Sequence, residues 1–219
     1  MPPSTDPART RTSGRATKLS RDLIVNAALS FLDREGWDAL TINALAGQLG
    51  TKGPSLYNHV ASLDDLRRTV RMRVIDDIIS MINTAAEGRV REDAVLVMAG
   101  AYRSYAHHHP GRYAAFTRLP FGDDDPGYAA ATRLAAAPVI AVLASYGLDG
   151  EQAYFAALEF WSAMHGFVLL EMTGVMDDVD ADAVFAPETL AQDIAVQVTP
   201  LDHDFAAFES ALQKGPESA

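Results

Sequence analysis

Residues 41–60 read TINALAGQLGTKGPSLYNHV. Apolar residues recur at helical spacing from Ile42 to Leu49, and Gly50 ends that run. A second apolar group, from Leu56 to Val60, follows a turn that contains two glycines. Two short helices joined by a tight glycine-containing turn form a helix-turn-helix, which can place its second helix in the major groove of DNA. The spacing is equally compatible with a helical hairpin in an unrelated core, so both interpretations stay open at this point.

Small or hydrogen-bonding residues occupy the start of the second short helix, which the pattern predicts over residues 54–60. Small residues permit close approach to a nucleic acid, and free backbone N–H groups at a helix start can bind phosphate. Asparagine can pair with adenine, and tyrosine or histidine can donate to phosphate oxygens. The residues predicted to contact DNA in this segment are Thr51, Lys52, Gly53, Pro54, Ser55, Tyr57, Asn58 and His59.

Helical periodicity extends along the rest of the chain. Ser20 is a candidate N-cap for a first helix that ends at Gly36, and Ser62 is one for a long helix over residues 63–86. No alternating β pattern and no internal repeat is present, so the predicted fold class is all-α. Further helices are predicted near residues 90–108, 110–119, 127–146, 151–173, 187–197 and 202–214, with an acidic loop over residues 174–187.

The charge is distributed unevenly along the 219 residues, whose net charge is −11. Residues 1–75 hold 11 basic and 7 acidic residues, a net charge of +4, whereas the remaining 7 basic and 22 acidic residues give −15. Such asymmetry indicates that the first portion meets a polyanion and that the acidic body is repelled by it. Residues 1–18 are polar and predict a disordered basic arm. Its Arg15 and Lys18 either contact DNA or belong to a solubilising tail.

Several protein classes are not expected. The chain has no cysteine, which excludes disulfide scaffolds, cysteine-ligated zinc sites and thiol nucleophiles. It has no window of about 18 uncharged apolar residues and no secretory signal, so a cytoplasmic protein without a membrane partner is expected. The three histidines at 107–109 diverge by about 100° each on a helix, so no metal site is expected there. No phosphate-binding loop or nucleophile motif is present, so neither catalysis nor a cofactor is expected.

One set of residues gives the first half a specific likeness. It consists of Ala27-Ala28, Phe31-Leu32, Gly36, Thr41, Ala46, Leu49-Gly50, Leu56-Tyr57-Asn58-His59-Val60 and Asp65-Leu66. On these positions, residues 21–66 resemble the DNA-binding domain of the TetR family of bacterial transcriptional repressors. The resemblance implies three regions: an arm at 1–18, a three-helix DNA-binding domain at 19–66, and a helical ligand-binding and dimerisation domain at 67–219.

The resemblance also implies roles for individual positions. Phosphate contacts are implied for Thr41, Tyr57 and His59, and base contacts for Lys52, Gly53 and Ser55. One position departs from the family pattern, because Leu63 stands where a phosphate-contacting lysine is common. Arg67 or Arg68, one turn later, is a candidate to replace that lysine.

The predicted helix over residues 151–173 contains the sequence WSAMHG at positions 161–166. This stretch resembles the Trp-x-x-x-His-Gly element of the C-terminal domain in one TetR subgroup. Trp161 and His165 are four residues apart and share a helix face, either as packed core residues or as ligand contacts. A glycine at the middle of a helix is unfavourable, so Gly166 indicates close helix approach in a core or at a dimer contact.

The second half supplies candidates for a ligand pocket and for a dimer interface, and each candidate is also compatible with ordinary core packing. The candidate ligand-binding residues are Met98, Tyr102, Tyr105, Phe116, Phe155, Trp161, Met164 and His165. The candidate dimer-interface residues are Phe160, Gly166, Phe167, Phe205, Phe208 and Leu212.

Together with the resemblance, these patterns predict a homodimeric, sequence-specific repressor that a small, apolar ligand releases from a near-palindromic operator. The expected partners are double-stranded DNA, a second copy of the chain and that ligand. One alternative is a small-molecule carrier with no DNA-binding role, and another is a helical enzyme that works through the second half. Steep salt dependence of DNA binding distinguishes the repressor from the carrier.

Overall fold

The computed structural model describes residues 19–118, 126–180 and 183. These residues form helices and no strand, which confirms the all-α prediction. The α-helices are α1 (Arg21–Glu35), α2 (Ile42–Gln48), α3 (Gly53–Leu56), α4 (Leu63–Ala86), α5 (Arg91–His108), α6 (Pro110–Thr117), α7 (Pro126–Leu143) and α8 (Gly150–Met172). A 3₁₀ turn, Ala144–Tyr146, extends α7.

Three hydroxyl side chains fix the starts of the N-terminal helices. Ser20 accepts a hydrogen bond from the backbone N–H of Leu23 and begins α1. Thr41 begins α2 and Ser62 begins α4 in the same way. Each cap satisfies one of the N–H groups that a helix start leaves without an internal partner, which contributes about 1 kcal/mol to stability.

The third helix is shorter than the sequence pattern predicts. Residues 54–60 are predicted as helical, but α3 ends at Leu56 and the next three residues form a turn. The N–H of His59 bonds to the Leu56 carbonyl at 2.8 Å, and the N–H of Val60 bonds to the same oxygen at 3.0 Å. These two bonds form a turn between α3 and the start of α4 at Leu63.

One continuous apolar core extends from α1 to α8. In the first three helices it contains Ile24, Leu45 and Leu56, all fully buried. Helix α4 lies along both parts of the molecule, packing against α1 near its start and against α5, α6 and α7 further along. A displacement of α4 or α6 therefore reaches the helix-turn-helix without an intervening flexible linker.

Some predicted features lie outside the described residues. They are the basic arm with Arg15 and Lys18, the helices near 187–197 and 202–214, and the dimer candidates Phe205, Phe208 and Leu212.

Within the described part of the chain, α8 is the one helix long and apolar enough to cross a membrane by length and composition. Its apolar window has a mean hydropathy of 1.3, and 22% of it is buried. The helix contributes Ala153, Ala157, Met164 and Val168 to the core, and Glu159 lies at its middle. We interpret α8 as a core helix with a second, exposed apolar face.

Candidate nucleic-acid interface and ligand cavity

The side chains of residues 52–60 differ in burial, and the difference follows their polarity. Leu56 and Val60 are buried in the core. Lys52 and Asn58 are exposed, and Tyr57 exposes 55% of its surface. A tyrosine exposed to this extent presents both its ring and its hydroxyl to a partner. The apolar residues therefore anchor the turn, and the hydrogen-bonding side chains project from it.

The other predicted DNA-contact residues surround this surface. Pro54 is exposed, whereas Thr51, Ser55 and His59 are partly exposed. Thr41 is exposed, and its hydroxyl oxygen accepts from the Ala44 N–H at 3.2 Å. Because capping uses only the oxygen, the hydroxyl proton of Thr41 stays available to a phosphate.

Gly53 forms the closest contact between α2 and α3. It is buried, and a Cβ atom at this position would lie 2.7 Å from Oδ1 of Asn43. The absence of a side chain thus lets the start of α3 pack directly on α2. In this structure Gly53 positions its neighbours Lys52 and Pro54, whose side chains are exposed.

The turn formed by residues 52–60 is the proposed recognition turn. An ion-pair network that was not predicted from the sequence holds this turn against α1 and α4. The Arg21 guanidinium donates to both carboxylate oxygens of Asp65, at 2.8 and 3.2 Å, and to the His59 carbonyl at 3.0 Å. It also donates to the Thr69 hydroxyl, and Asp65 accepts from the Ala61 N–H. The Arg21 hydrogen bond, with that of the Ala61 N–H, lowers the pKa of Asp65. Arg21 therefore positions the recognition turn.

We predict that Arg21→Gln lowers the free energy of unfolding by about 0.5–1.5 kcal/mol, because the bidentate pair and the bond to the His59 carbonyl are lost. Urea denaturation followed by circular dichroism measures this change. Arg73→Gln is the matched control, since Arg73 forms an exposed pair with Asp77 one turn away on α4. Equal stability changes in the two variants would contradict the positioning role.

A cation–π stack connects α4 to the loop between α1 and α2. The guanidinium carbons of Arg67 and Arg71 lie 5.4 and 4.9 Å from the centroid of the Trp37 ring. Arg67 also donates to the Leu40 carbonyl at 3.3 Å. Arg67 is thus held by Trp37 and Leu40 in this structure, and the replacement of the lysine missing at Leu63 by Arg67 or Arg68 stays a prediction.

Helix α6 is in contact with α1 at its N-terminal end. A Cβ atom at Gly111 would overlap the Leu32 carbonyl oxygen, so the two backbones touch there. Arg112 donates to Asp33 at 2.7 Å, and Arg118, just after α6, donates to Asp38 at 2.6 Å. The opposite end of α6 borders a cavity. This helix therefore joins the cavity to α1, the helix that precedes the helix-turn-helix.

A cavity of about 380 Å³ lies between α4, α5, α6, α7 and α8. Its volume is at the lower end of the range for ligand pockets, about 300–1,000 Å³. Four of the predicted ligand-binding residues line it: Tyr102, Phe116, Trp161 and His165. The other lining residues are Ile75, Ile78, Thr117, Arg133, Ala135, Ala136, Tyr154, Leu158 and Ser162.

The imidazole of His165 is hydrogen-bonded to two phenols at the cavity wall. Its Nδ1 lies 3.1 Å from the Tyr102 hydroxyl and 2.9 Å from the Tyr113 hydroxyl. Burial raises the pKa of both tyrosines and lowers the pKa of His165. All three groups are therefore uncharged near neutral pH and form one hydrogen-bonded cluster.

The remaining predicted ligand and dimer residues lie elsewhere. Met98, Tyr105 and Met164 are buried in the core and do not line the cavity. Phe155 exposes 48% of its surface and is also not a lining residue. Among the dimer candidates, Phe160 and Phe167 pack against the core, and Gly166 is partly buried.

The histidines at 107–109 point to three different groups. His107 contacts Glu171 at 2.8 Å, His108 contacts the Ser104 carbonyl at 2.7 Å, and His109 lies 3.4 Å from Asp33. Among the described residues no cluster of three His, Cys, Asp or Glu side chains could hold a metal ion. The histidines contribute to contacts between α5 and its neighbours.

Glu171 pairs α8 with α5. Its carboxylate accepts from Nε of Arg103 at 3.0 and 3.1 Å and from His107. The Arg103 hydrogen bonds chiefly lower the pKa of Glu171 to about 2. The stabilisation is therefore complete above the ordinary pKa of 4.5 and is lost as pH falls toward 2.

We predict that Glu171→Gln lowers the free energy of unfolding by about 1–2 kcal/mol at pH 7, because charge-assisted bonds are lost. The difference from the native chain is expected to shrink between pH 4.5 and pH 3, where native Glu171 begins to lose the same stabilisation. Denaturant titrations across this range measure the trend. Glu159→Gln, an exposed position on α8, is the control. A difference that stays constant with pH would contradict the assignment.

Comparison with known proteins identifies the family. The model of the tetracyclin repressor-like C-terminal domain matches residues 95–191. The chain is 78% identical over 176 residues to an uncharacterized HTH-type transcriptional regulator of Mycobacterium tuberculosis, Rv0681, covering 80% of this chain and 81% of that one. The chain belongs to the TetR family of HTH-type transcriptional regulators. Membership of the Trp-x-x-x-His-Gly subgroup stays a prediction.

Solved structures share the fold of this TetR-family regulator. A protein of unknown function from Rhodococcus sp. RHA1 is similar with a TM-score of 0.69 and 19% identity, over 83% of this chain and 98% of that one. A single-residue variant of TetR from Acinetobacter baumannii AYE, solved in complex with minocycline, has a TM-score of 0.58 and 22% identity, over 81% and 96%. At these identities the likeness concerns the fold alone.

Proposed function

We propose that this TetR-family regulator is a cytoplasmic, homodimeric repressor that a small molecule releases from a near-palindromic operator. The observation that carries the proposal is that residues 52–60 bury their apolar side chains and expose their hydrogen-bonding ones. Leu56 and Val60 anchor the turn, while Lys52, Tyr57 and Asn58 project from it. A 380 Å³ cavity lies on the far side of α6. The sequence identity to a named transcriptional regulator favours this function over that of a carrier.

In the proposed complex, the exposed residues divide between phosphates and bases. Thr41, Tyr57 and His59 hold phosphates and position the turn, and such contacts carry no sequence information. Lys52 and Ser55 contact base edges in the major groove, and Asn58 can pair with adenine. The backbone of Thr51, Gly53 and Pro54 approaches the duplex closely, and Arg15 and Lys18 of the arm add sequence-independent attraction.

A second copy of the chain completes the proposed regulator, because one helix-turn-helix makes too few base contacts for specificity. The exposed face of α8 carries apolar residues that fit such a contact. Phe155, Leu169 and Leu170 each expose between 43% and 48% of their surface, and Gly166 lies between them on the helix. Small residues such as glycine allow two helix backbones to approach closely.

Release from DNA is proposed to begin at α6. Phe116 and Thr117, at the end of α6, line the cavity. Gly111, near the start of the same helix, touches the Leu32 carbonyl of α1. A ligand that displaces α6 also displaces α1, to which the recognition turn is tied through Arg21. The spacing of two recognition turns then no longer matches grooves one helical turn, about 34 Å, apart.

Selection of bound fragments from host DNA with the purified full chain tests the proposal. A two-fold symmetric consensus, with affinity that falls steeply as salt rises, is the expected result. Recovery of no sequence above background would contradict DNA recognition. An asymmetric consensus would contradict the homodimer while leaving the DNA-binding role intact.

A further inference from the structure

The cavity combines apolar walls with a few polar side chains. Its walls are mainly apolar, formed by residues such as Ile75, Ile78 and Phe116. Its nitrogen-bearing lining residues are Arg133, Trp161 and His165, and its hydroxyl-bearing ones are Tyr102, Thr117, Tyr154 and Ser162. Hydroxyl groups both donate and accept hydrogen bonds, whereas a guanidinium only donates. Arg133 can therefore bind only an accepting group of the ligand.

The two ring nitrogens of His165 have different surroundings. The Tyr102 and Tyr113 hydroxyls lie 3.1 and 2.9 Å from Nδ1. Among the described residues Nε2 has no hydrogen-bond partner. A neutral imidazole that accepts at Nδ1 carries its proton on Nε2, where it can donate to a ligand.

Trp161 has an unsatisfied donor. Its ring packs edge-on against Tyr102, with centroids 5.1 Å apart. Its Nε1 atom is buried and has no hydrogen-bond partner among the described residues. A buried N–H group without a partner costs about 1–3 kcal/mol. Because this atom is buried, Trp161 contributes its ring, and not its N–H group, to the cavity wall.

Arg133 adds a positive charge at the exposed edge of the cavity. It lies on α7, is solvent-exposed and has no ion-pair partner within the described part of the chain. The described lining residues include no aspartate and no glutamate. The local charge therefore favours an anion and opposes a cation, although the second half of the chain is acidic overall.

We infer that the ligand is a small apolar carboxylate, whose hydrocarbon body fills the cavity and whose carboxylate pairs with Arg133 and accepts a hydrogen bond from His165 in its Nε2–H tautomer. This inference rests on the proposed function, because it assigns the chemical class of the ligand at the same cavity. It predicts that amines and quaternary ammonium compounds bind more weakly than carboxylates of the same size.

Two matched series of probes test the inference by isothermal titration calorimetry with the full chain. One series is octanoate, 1-octanol and octylammonium, and the other is 2-naphthoate, 2-naphthylmethanol and 2-naphthylmethylammonium. Within each series only the head group changes. We expect the carboxylate of at least one series to bind about tenfold more tightly than its alcohol, and the ammonium compound to bind most weakly. Equal affinities, a preference for the ammonium compound, or no binding in either series would overturn the inference.

Two variants locate the bound carboxylate. Arg133→Gln is expected to weaken carboxylate binding about tenfold and to leave alcohol binding unchanged. Arg89→Gln, away from this cavity, is the control and is expected to change neither. In Trp37→Phe, Trp161 is the one remaining tryptophan of the two in the chain, so a change in its fluorescence on adding octanoate places the ligand at the cavity. Unchanged carboxylate affinity in Arg133→Gln would refute the inference.

DNA release separates the two proposals. If an alcohol or ammonium probe binds at the cavity and releases DNA, the carboxylate assignment fails while the ligand-released repressor stands. If octanoate or 2-naphthoate binds as expected but DNA binding does not change, the carboxylate assignment stands and release by this ligand fails.

Discussion

Replacing Gly111 with alanine is expected to lower the free energy of unfolding by about 1–3 kcal/mol, because the new methyl group overlaps the Leu32 carbonyl oxygen. That oxygen belongs to the backbone of α1 and cannot move aside as a flexible side chain does. Relief requires α6 to move away from α1, which also weakens the pair between Arg112 and Asp33. Urea denaturation followed by circular dichroism measures the loss.

Gly100→Ala is the matched control for this prediction. Gly100 is an exposed glycine inside α5, and a Cβ atom there meets no other atom within 4 Å. Alanine favours helix more than glycine does, so this variant is expected to be unchanged or stabilised by up to about 1 kcal/mol. Opposite signs in the two glycine variants support direct contact between α6 and α1. A neutral result for Gly111→Ala would contradict it.

The Gly111 variant also tests the proposed path of release. If α6 carries the effect of the ligand to α1, the ligand is expected to change operator affinity less in Gly111→Ala, where α6 has moved away from α1, than in the native chain. Operator affinity with and without the ligand, measured at a temperature where the variant is folded, gives this ratio. An unchanged ratio would favour transmission through α4, which contacts the loop between α1 and α2 through Trp37.

Tyr57→Ala is expected to weaken DNA binding by about ten- to a hundredfold on every sequence, because a hydrogen bond to a charged phosphate is lost together with the ring that positions it. Tyr57 exposes 55% of its surface, so its removal is expected to change the free energy of unfolding by less than about 0.5 kcal/mol. Electrophoretic shifts on fragments recovered from the selection measure the affinity.

Three further variants make the Tyr57 result specific. Tyr57→Phe removes the hydroxyl alone and separates its contribution from that of the ring. Lys52→Ala and Ser55→Ala are expected to alter the preference at particular base pairs, in contrast to the uniform loss in Tyr57→Ala. Unchanged affinity and preference in all of these variants would refute the assignment of this turn to DNA.

The burial pattern of the proposed DNA-binding surface could be predicted from the sequence because its determinants are local. Periodicity separates Leu56 and Val60, which are buried, from Tyr57 and Asn58, which are exposed. Capping by Ser20, Thr41 and Ser62 was predictable for the same reason, since each cap bonds to an N–H three residues later. The early end of α3 was not predicted, because it follows from the reversal into α4.

The cavity was predicted in part. Aromatic residues at helical spacing identified Tyr102, Phe116, Trp161 and His165 as lining candidates, but the same pattern also selected residues that lie in the core or on the surface. Periodicity predicts which residues share one face of a helix, but it does not predict which other helix packs against that face. The pairing of His165 with Tyr113 depends on contact between α6 and α8, which are 52 residues apart at these positions.

The sequence by itself determined the all-helical class, the helix starts and the alternation of anchoring and projecting residues in the recognition turn. These properties depend on interactions within a few residues, which spacing and side-chain chemistry fix directly. Only the tertiary structure decided that Arg21 holds Asp65 and His59, that Gly111 touches Leu32, and that Arg133 borders the cavity. These contacts join positions 38 to 79 residues apart, and they form because the packing of whole helices brings those positions together.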